Sequence, residues 1–343
     1  MNETTKEARW NSLIEGFRSF GGIADNLIQR KGALGLGLFP IDSSKLVELR
    51  VPDHLLVSTD NIELREGSVF LKDTSGYPEG FAEWYAHFQA EYSWGAEARH
   101  SIKNFENGLK SLPDSLQQKL QILGLINISH RFPGIDEEQE LFQRFITTRQ
   151  INRKGNKVLM PIMELVNHSP LQQSWIMDDN SITIQGKYEN EILVRYSIAD
   201  PLRRCMQYGF NCKEPFGFSL NIRLIHNNRK VVVKGGFNFN SQPLKPSDAI
   251  TRNEIIIINN PLLRALRNPR MPKSNFRESC KNIKNINTDE LFEQIHQRNR
   301  LIIINIILLL NEIEGQVSDQ IKEACLDQIE ILGEHYGTRL ADN

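Results

Sequence analysis

Cysteine is scarce in this sequence, and its few cysteines do not form a motif. The cysteines are four among 343 residues, namely Cys205, Cys212, Cys280 and Cys325. None belongs to a Cys-x-x-Cys pair, which argues against the usual zinc modules and against a dense disulfide framework. We therefore expect neither a metal site nor a disulfide-stabilised fold.

Long apolar runs are also lacking. The longest run covers residues 301–310 and is interrupted by Asn305. This is about half of the roughly 20 residues that a membrane-spanning helix needs, so the run is typical of a buried helix segment. Residues 1–10 are polar and charged, unlike a signal peptide. The sequence thus predicts a cytoplasmic protein without a membrane partner.

Charge of one sign is not in excess. Lysine and arginine together number 41, and aspartate and glutamate together number 42. A general nucleic-acid binder would be basic overall or would carry a strong basic stripe. We therefore expect no nucleic-acid partner, and the composition leaves the oligomeric state open.

Hydrophobic periodicity indicates strands and helices in separate parts of the chain. Residues 11–20 have a helical spacing of apolar side chains, and residues 45–51 alternate as a half-buried strand does. Residues 79–145 are predicted to be helical, and their aromatic stripe is typical of core packing. Strands return on both sides of Asn227-Asn228, and two helices are predicted after residue 288. Asn287, with Glu290 three residues later, is the predicted cap of the first of them. This order predicts the α+β class.

A glycine-rich segment occupies residues 32–37. Gly35 and Gly37 let the backbone turn sharply or approach a ligand closely. The segment is not a dinucleotide-binding fingerprint, because the third glycine is missing and no helical pattern follows. Two interpretations remain, a tight β-turn without a ligand and a ligand-binding loop.

Polar side chains follow two apolar segments further along the chain. Residues 158–166 are apolar except for Glu164, which predicts a short buried strand, and Asn167, His168 and Ser169 come directly afterwards. A second apolar segment, residues 192–194, precedes Tyr196. Side chains at the ends of buried strands are held rigidly, as a functional site requires.

The order and spacing of three blocks resemble the SET-domain protein methyltransferases, above all the branch of the Rubisco large-subunit methyltransferase. The blocks are residues 34–38 (Leu-Gly-Leu-Gly-Leu), residues 161–169 with the Asn-His pair, and residues 196–210 with Tyr196 and a Tyr-Gly-Phe triplet. Thr148-Arg149 matches a fourth, shorter motif. The resemblance covers roughly residues 15–235.

This resemblance implies a domain organisation. It implies a β-rich SET domain whose N-terminal part, residues 1–78, contains the S-adenosylmethionine (SAM) loop. A helical insert would occupy residues 79–145, and residues 146–240 would complete the SET domain. Residues 241–343 would form a helical C-terminal lobe that helps to present a substrate.

The resemblance also implies an activity and a set of site residues. The activity is SAM-dependent transfer of a methyl group to a lysine side chain of a protein substrate. Tyr196 would be the catalytic tyrosine, and Tyr208 would shape the amine pocket. The implied contacts with SAM are Leu34, Gly35, Leu36, Arg149, Asn167, His168 and Phe210. The implied contacts with the substrate are Arg149, Arg153, Glu164, Trp175, Tyr196 and Tyr208.

Tyrosines suit the chemistry of methyl transfer to an amine. The attacking amine must be neutral, although the reference pKa of lysine is about 10.4. An apolar channel beside a cation disfavours the ammonium form. Tyrosine rings exclude water, while each hydroxyl can accept a hydrogen bond from the amine.

Each residue also has an interpretation without function, and the sequence departs from the family in places. Asn167 could cap a turn, His168 could be a buried histidine, and the tyrosines could belong to the core. Glu164 stands where the Rubisco large-subunit methyltransferase has an aspartate. Trp175 could replace a tyrosine of that enzyme that has no counterpart here. The alternatives to a lysine methyltransferase are a histidine-methylating variant and an inactive SET-fold binding module.

Overall fold

The computed structural model describes residues 3–126, 136–235, 246 and 248–333. The chain forms two compact units. The first unit comprises Met1–Asn104 and Arg131–Tyr196, and the second comprises Phe105–His130 and Ser197–Asn343. Each unit has a hydrophobic core of its own.

The first unit consists of short strands with helices placed before and between them. Its elements are α1 (Glu3–Ser19), β1 (Ile23–Asp25), β2 (Leu27–Gly32), β3 (Gly35–Pro40), β4 (Val47–Pro52), β5 (Val57–Ser58), β6 (Ile62–Arg65), β7 (Ser68–Leu71), α2 (Phe81–Tyr92), the start of α3 (Arg99–Ser111), α5 (Glu137–Arg149), β8 (Ile151–Arg153), β9 (Asn156–Leu159), β10 (Asn167–His168), β11 (Ile176–Met177), β12 (Ser181–Gly186) and β13 (Leu193–Val194).

Small sheets organise these strands. Strands β1, β4, β12 and β11 form a four-stranded antiparallel sheet in that order, and β5, β9 and β8 form a three-stranded sheet. The pairs β2–β3 and β6–β7 are antiparallel hairpins. Strands β10 and β13 are parallel, with Asn167 opposite Leu193 and His168 opposite Val194.

Helices α1 and α2 supply aromatic side chains to the core of the first unit. The buried ones are Trp10, Phe17, Phe81, Trp84, Tyr85 and Phe88. The Trp84 indole N–H donates to the backbone oxygen of Leu13 at 2.9 Å, so this buried donor has a hydrogen-bond partner. The prediction that the aromatic stripe packs in the core is confirmed.

The strand predicted over residues 158–166 is wrong beyond Leu159. Strand β9 ends at Leu159, and a 3-10 turn (Met163–Leu165) follows Pro161. Proline has no N–H to donate, and Ile162 has a φ of +64°, so the chain turns instead of extending a ladder. Glu164 consequently lies in a turn.

The second unit combines strands with longer helices. Its elements are the rest of α3, then α4 (Asp114–Ile122), α6 (Pro201–Tyr208), β14 (Phe216–Phe218), β15 (Ile222–His226), β16 (Arg229–Lys234), β17 (Ala249–Arg252), β18 (Ile255–Asn259), β19 (Leu262–Ala265), α7 (Met271–Cys280), α8 (Thr288–Leu310) and α9 (Gln316–Gly333).

Several features of the second unit follow from local sequence signals. Asn227 and Asn228 have positive φ angles and join β15 to β16 in a tight hairpin. The Asn287 side chain accepts a hydrogen bond from the Glu290 N–H at the start of α8, as predicted. Strands β15, β16, β18 and β17 form one sheet, in which β16 and β18 are parallel.

The α+β class is confirmed by this mixture of small sheets and helices. Helices occur within residues 79–145 and dominate after residue 270, as the periodicity predicts. The division at residues 78, 145 and 240 stays a prediction. None of the helices in the described part of the chain combines the length and apolar character that crossing a bilayer requires.

Candidate functional site

The glycine-rich segment forms the hairpin β2–β3. Its register pairs Gly32 with Gly35 and Arg30 with Gly37, so the turn consists of Ala33 and Leu34. Gly35 has a φ of +94°, which an L side chain rarely adopts. Leu34 is exposed at the tip, and Gly35 and Leu36 are half-buried. The segment is therefore a β-turn, as one of the two interpretations predicts. The turn alone does not explain the contacts that the backbone of the hairpin makes with the rest of the unit.

Asn167 connects this hairpin to the Asn-His block. Its Nδ2 donates to the backbone oxygen of Leu36 at 3.0 Å and to Oε1 of Glu191 at 2.6 Å. Neither bond is local in sequence, so the amide does not cap a turn of its own segment. The parallel pairing of β10 with β13 holds Asn167 in this position.

Gly37 is the point of closest approach between the hairpin and Asn167. A Cβ at Gly37 would collide with the Glu191 carboxylate and would lie 2.7 Å from Nδ2 of Asn167. Only glycine fits there without movement of its neighbours. The second glycine of the predicted loop is therefore required by tertiary packing.

His168 and Tyr196 are in direct contact. The Tyr196 backbone N–H donates to Nδ1 of His168 at 3.1 Å, and the two ring centroids lie 5.0 Å apart. His168 is buried, whereas Tyr196 is half-buried. The two blocks that the sequence separates by 28 residues thus meet in the first unit.

Tyr196 is held at both ends of its side chain. Its hydroxyl donates to the backbone oxygen of Val166 at 2.5 Å. Its ring stacks on Trp175, with centroids 6.2 Å apart and an interplanar angle of 29°. Because the phenol proton is directed to Val166, the phenol oxygen keeps lone pairs that can accept a further hydrogen bond.

Glu164 is buried and Arg149 is half-buried, and the charge of Arg149 acts on the Glu164 carboxyl. Ser93 and Gln89 donate to Oε1 of Glu164 at 2.5 Å and 2.8 Å. Burial raises the pKa of Glu164 above its ordinary value, although Ser93, Arg149 and Gln89 oppose this shift. The Arg149 guanidinium lies 4.3 Å from the centre of the Phe145 ring. The implied roles of Glu164 and Arg149 toward SAM or a substrate stay predictions.

Replacing Glu164 with glutamine is expected to stabilise the protein at neutral pH. A carboxyl whose pKa is higher in the folded state binds more protons there than in the unfolded state, so it lowers stability as pH rises above the ordinary value of 4.5. Glutamine keeps an acceptor for Ser93 and removes the buried charge. Thermal melting over a pH series should show a higher Tm for the variant, and a flatter pH dependence above the ordinary pKa. An unchanged pH profile would contradict this account.

Arg153 does not share a helical face with Arg149. Helix α5 ends at Arg149 and Arg153 lies in strand β8, because the turn at Lys154-Gly155 starts a hairpin. Its guanidinium donates to both carboxylate oxygens of Asp53, at 2.9 Å and 3.0 Å. Burial raises the pKa of Asp53, but hydrogen bonds from Lys154 and Arg153 outweigh it and leave the pKa below its ordinary value. A substrate role for Arg153 stays a prediction.

An Arg153→Met variant is expected to lose about 1–3 kcal/mol of stability. The change leaves Asp53 and the Asp178 backbone oxygen without a buried donor that reaches both. Lys154→Met is the matched control, since Lys154 also contacts Asp53 but is exposed and should contribute less than about 1 kcal/mol. Urea unfolding of both variants measures the difference, and equal losses would refute the account.

Tyr208 and Phe210 belong to the second unit. Tyr208 is the last residue of α6, and the Arg204 guanidinium lies 4.9 Å from the centre of its ring. Burial raises the pKa of Tyr208, while the charge of Arg204 and hydrogen bonds with Ser197 and Arg204 lower it. The rings of Tyr208 and Phe210 lie 5.8 Å apart. Both residues keep their implied roles as predictions.

Sequence reasoning missed helix α6 and the residues around Tyr208. The signals were present, because Asp200 caps the helix, Pro201 begins it and Gly209 ends it with a φ of +75°. Arg204 is buried, donates to Glu214 at 2.6 Å and contacts Ser197. Glu191 was also missed, since no motif distinguishes it from its neighbours Glu189 and Asn190.

A cavity of about 240 Å³ lies beside the predicted residues of the first unit. It opens between β12 and the segment that precedes β11, with Tyr188 and Leu193 among its lining residues. The Gln173 backbone oxygen accepts from the Arg195 N–H, and the Ser174 hydroxyl donates to the Arg195 backbone oxygen. None of the predicted site residues lines this cavity.

The first unit therefore brings together Leu36, Asn167, His168, Tyr196 and Trp175 through successive contacts. Glu164 accepts hydrogen bonds from Ser93 and Gln89, and Arg153 forms an ion pair with Asp53. Tyr208 and Phe210 are placed by helix α6 in the second unit.

Comparison with solved structures finds chains that are similar to this one. The chain is similar to the SET domain of LSMT (Rubisco large-subunit lysine methyltransferase) bound to lysine and AdoHcy, with 12% sequence identity, 96% of this chain and 90% of that chain covered, and a TM-score of 0.40. It is similar to the same domain bound to MeLysine and AdoHcy, with 13% identity, the same coverage and a TM-score of 0.39. No protein-family model and no curated protein matches the chain.

Proposed function

We propose that this protein is a SET-fold, SAM-dependent methyltransferase that transfers a methyl group to a lysine side chain of a protein substrate. The bond from Asn167 to the Leu36 backbone oxygen carries the proposal, because it joins the first predicted cofactor block to the second. The contact between His168 and Tyr196 extends this connection to the third block. The first two motifs and Tyr196, which opens the third, thus meet in one unit.

The polar groups near the hairpin suit the methionine end of SAM. The Leu36 backbone oxygen and the Glu191 carboxylate are acceptors, and the Asn167 amide lies between them. The glycines allow backbone atoms to come close to a ligand at this point. Leu36, Asn167 and His168 would hold the cofactor, which supplies an electrophilic methyl group on a sulfonium.

Tyr196 would order an attacking amine. Its hydroxyl donates to the Val166 backbone oxygen, so the phenol oxygen can accept a hydrogen bond from the amine N–H. The Trp175 ring, stacked on it, packs against the tyrosine. Such a fixed acceptor aligns the amine lone pair with the reacting carbon, and alignment is the main contribution that methyl transfer needs.

The surroundings of Tyr196 also favour a neutral amine. The Tyr196 ring stacks on Trp175 and lies 5.0 Å from the His168 ring, so an amine beside Tyr196 would lie next to aromatic surface. Desolvation disfavours the ammonium form and lowers the pKa of a lysine substrate. The positive sulfonium acts in the same direction.

A SAM titration followed by methyl transfer tests the proposal. Calorimetry should show SAM binding to the folded protein, and transfer from methyl-labelled SAM into cell extract should label a protein. Hydrolysis of that product should yield methyl-lysine. Methyl-histidine would indicate the histidine-methylating variant, and SAM binding without labelling would indicate a binding module. Well-folded protein that binds no SAM would contradict the whole proposal.

A further inference from the structure

Glu191 contacts the glycine-rich hairpin at two places. Its Oε1 accepts from the Asn167 amide at 2.6 Å, and the same oxygen lies where a Cβ of Gly37 would be. Its Oε2 lies 3.2 Å from the position that a Cβ of Gly32 would take. The carboxylate therefore rests against the hairpin where both of these residues are glycine.

The charge of Glu191 has no cationic partner among the residues that the structure describes. Two influences act on its pKa: burial raises it and the Asn167 hydrogen bond lowers it. The nearby Lys31 of the hairpin pairs with Glu97 instead, at 2.9 Å. Burying part of a carboxylate without a counter-charge costs free energy, so the presence of Glu191 at this position calls for an explanation.

Orientation of Asn167 does not require that charge. The Asn167 amide has two hydrogens, and they are directed to Leu36 and Glu191. A glutamine at position 191 would offer an equivalent carbonyl acceptor. The negative charge and the Oε2 atom of Glu191 are therefore not needed to orient Asn167, and they can bind a ligand.

We propose that the Glu191 carboxylate binds the α-ammonium group of the methionine part of SAM. This inference rests on the proposed function. The ammonium can donate hydrogen bonds to Oε2 and to the Leu36 backbone oxygen, whereas the sulfonium has no N–H and cannot. Charge-assisted bonds of this kind are shorter and stronger than neutral ones, so Glu191 sets the affinity for ligands that carry the amino-acid end.

Glu191→Gln separates the charge from the orienting bond. The variant should bind S-adenosylhomocysteine about 10- to 100-fold more weakly than the wild type, with an equal loss for SAM. It should bind the desamino analogue of S-adenosylhomocysteine, which lacks the ammonium, as the wild type does. Glu189→Gln is the matched control, because Glu189 is exposed two residues earlier and should change no affinity.

Calorimetry with the three ligands, with thermal melting as the folding control, decides the question. Wild-type affinity of Glu191→Gln for S-adenosylhomocysteine would overturn the inference alone, and so would an equal loss for the desamino analogue. A wild-type protein that binds neither SAM nor S-adenosylhomocysteine would overturn the proposed function and the inference with it. If Glu191→Gln melts early, the affinities of the three ligands are measured at a temperature at which the variant is folded, and the same outcomes decide the question.

Discussion

Replacing Tyr196 with phenylalanine is expected to slow methyl transfer by about 100- to 1,000-fold, while SAM affinity stays nearly unchanged. The ring still packs on Trp175 and His168, so the variant loses only the hydroxyl. That hydroxyl orders the amine most strongly in the transition state, so its removal lowers the rate more than binding. The lost bond to the Val166 backbone oxygen should cost about 1 kcal/mol of stability.

Single-turnover transfer from labelled SAM measures this effect, with thermal melting as the folding control. Tyr188→Phe is the matched control, because Tyr188 is a half-buried tyrosine of the same unit that lines the neighbouring cavity. It should leave the transfer rate unchanged. If Tyr196→Phe transfers methyl groups at the wild-type rate, Tyr196 is a core tyrosine and the site is wrongly assigned.

Replacing Gly37 with alanine is expected to weaken SAM binding by about 10- to 100-fold, or about 1.4–2.8 kcal/mol. The added methyl group must displace the Glu191 carboxylate and the Asn167 amide. The displacement separates Asn167 from Leu36 and so disrupts the contact that joins the first two blocks. Overpacking of this kind also lowers stability by about 1–3 kcal/mol.

The control for Gly37→Ala is Gly76→Ala. A Cβ at Gly76 would meet no atom within 4 Å, and Gly76 lies in the same unit. Calorimetric titration with SAM and chemical unfolding of both variants separate a local effect on the site from a general effect of alanine. Equal SAM affinities for Gly37→Ala and the wild type would show that the hairpin takes no part in cofactor binding.

Local sequence signals predicted much of the secondary structure correctly. The Asn227-Asn228 turn, the Asn287 cap and the aromatic stripe from Phe81 each depend on residues close in sequence, and each is found. Helix α6 carries equally local signals at Asp200, Pro201 and Gly209, so it could have been predicted from the sequence and was overlooked. The prediction that the strand continues past Leu159 was wrong, because the chain turns at Pro161 and at Ile162, which has a positive φ.

The hydrogen-bond partners of the candidate site residues could not be predicted from local sequence signals. Motif order alone indicated that Asn167, His168 and Tyr196 matter, but it gave no information on which atoms they contact. Arg153 was expected to act on a substrate and is bound by Asp53, a residue 100 positions away. Glu164 was expected to contact a substrate, which stays a prediction, and its carboxylate accepts hydrogen bonds from Gln89 and Ser93, more than 70 positions away.

The sequence by itself determined the element types, the turns and the candidate residues, because propensity, capping and glycine conformation act over a few residues. Only the tertiary structure decided that Asn167 lies between Leu36 and Glu191, and that Gly37 must be glycine there. Hydrogen bonds and close contacts of this kind join residues up to 131 positions apart. Their partners depend on how strands β3, β10 and β13 come together, and no local pattern encodes that arrangement.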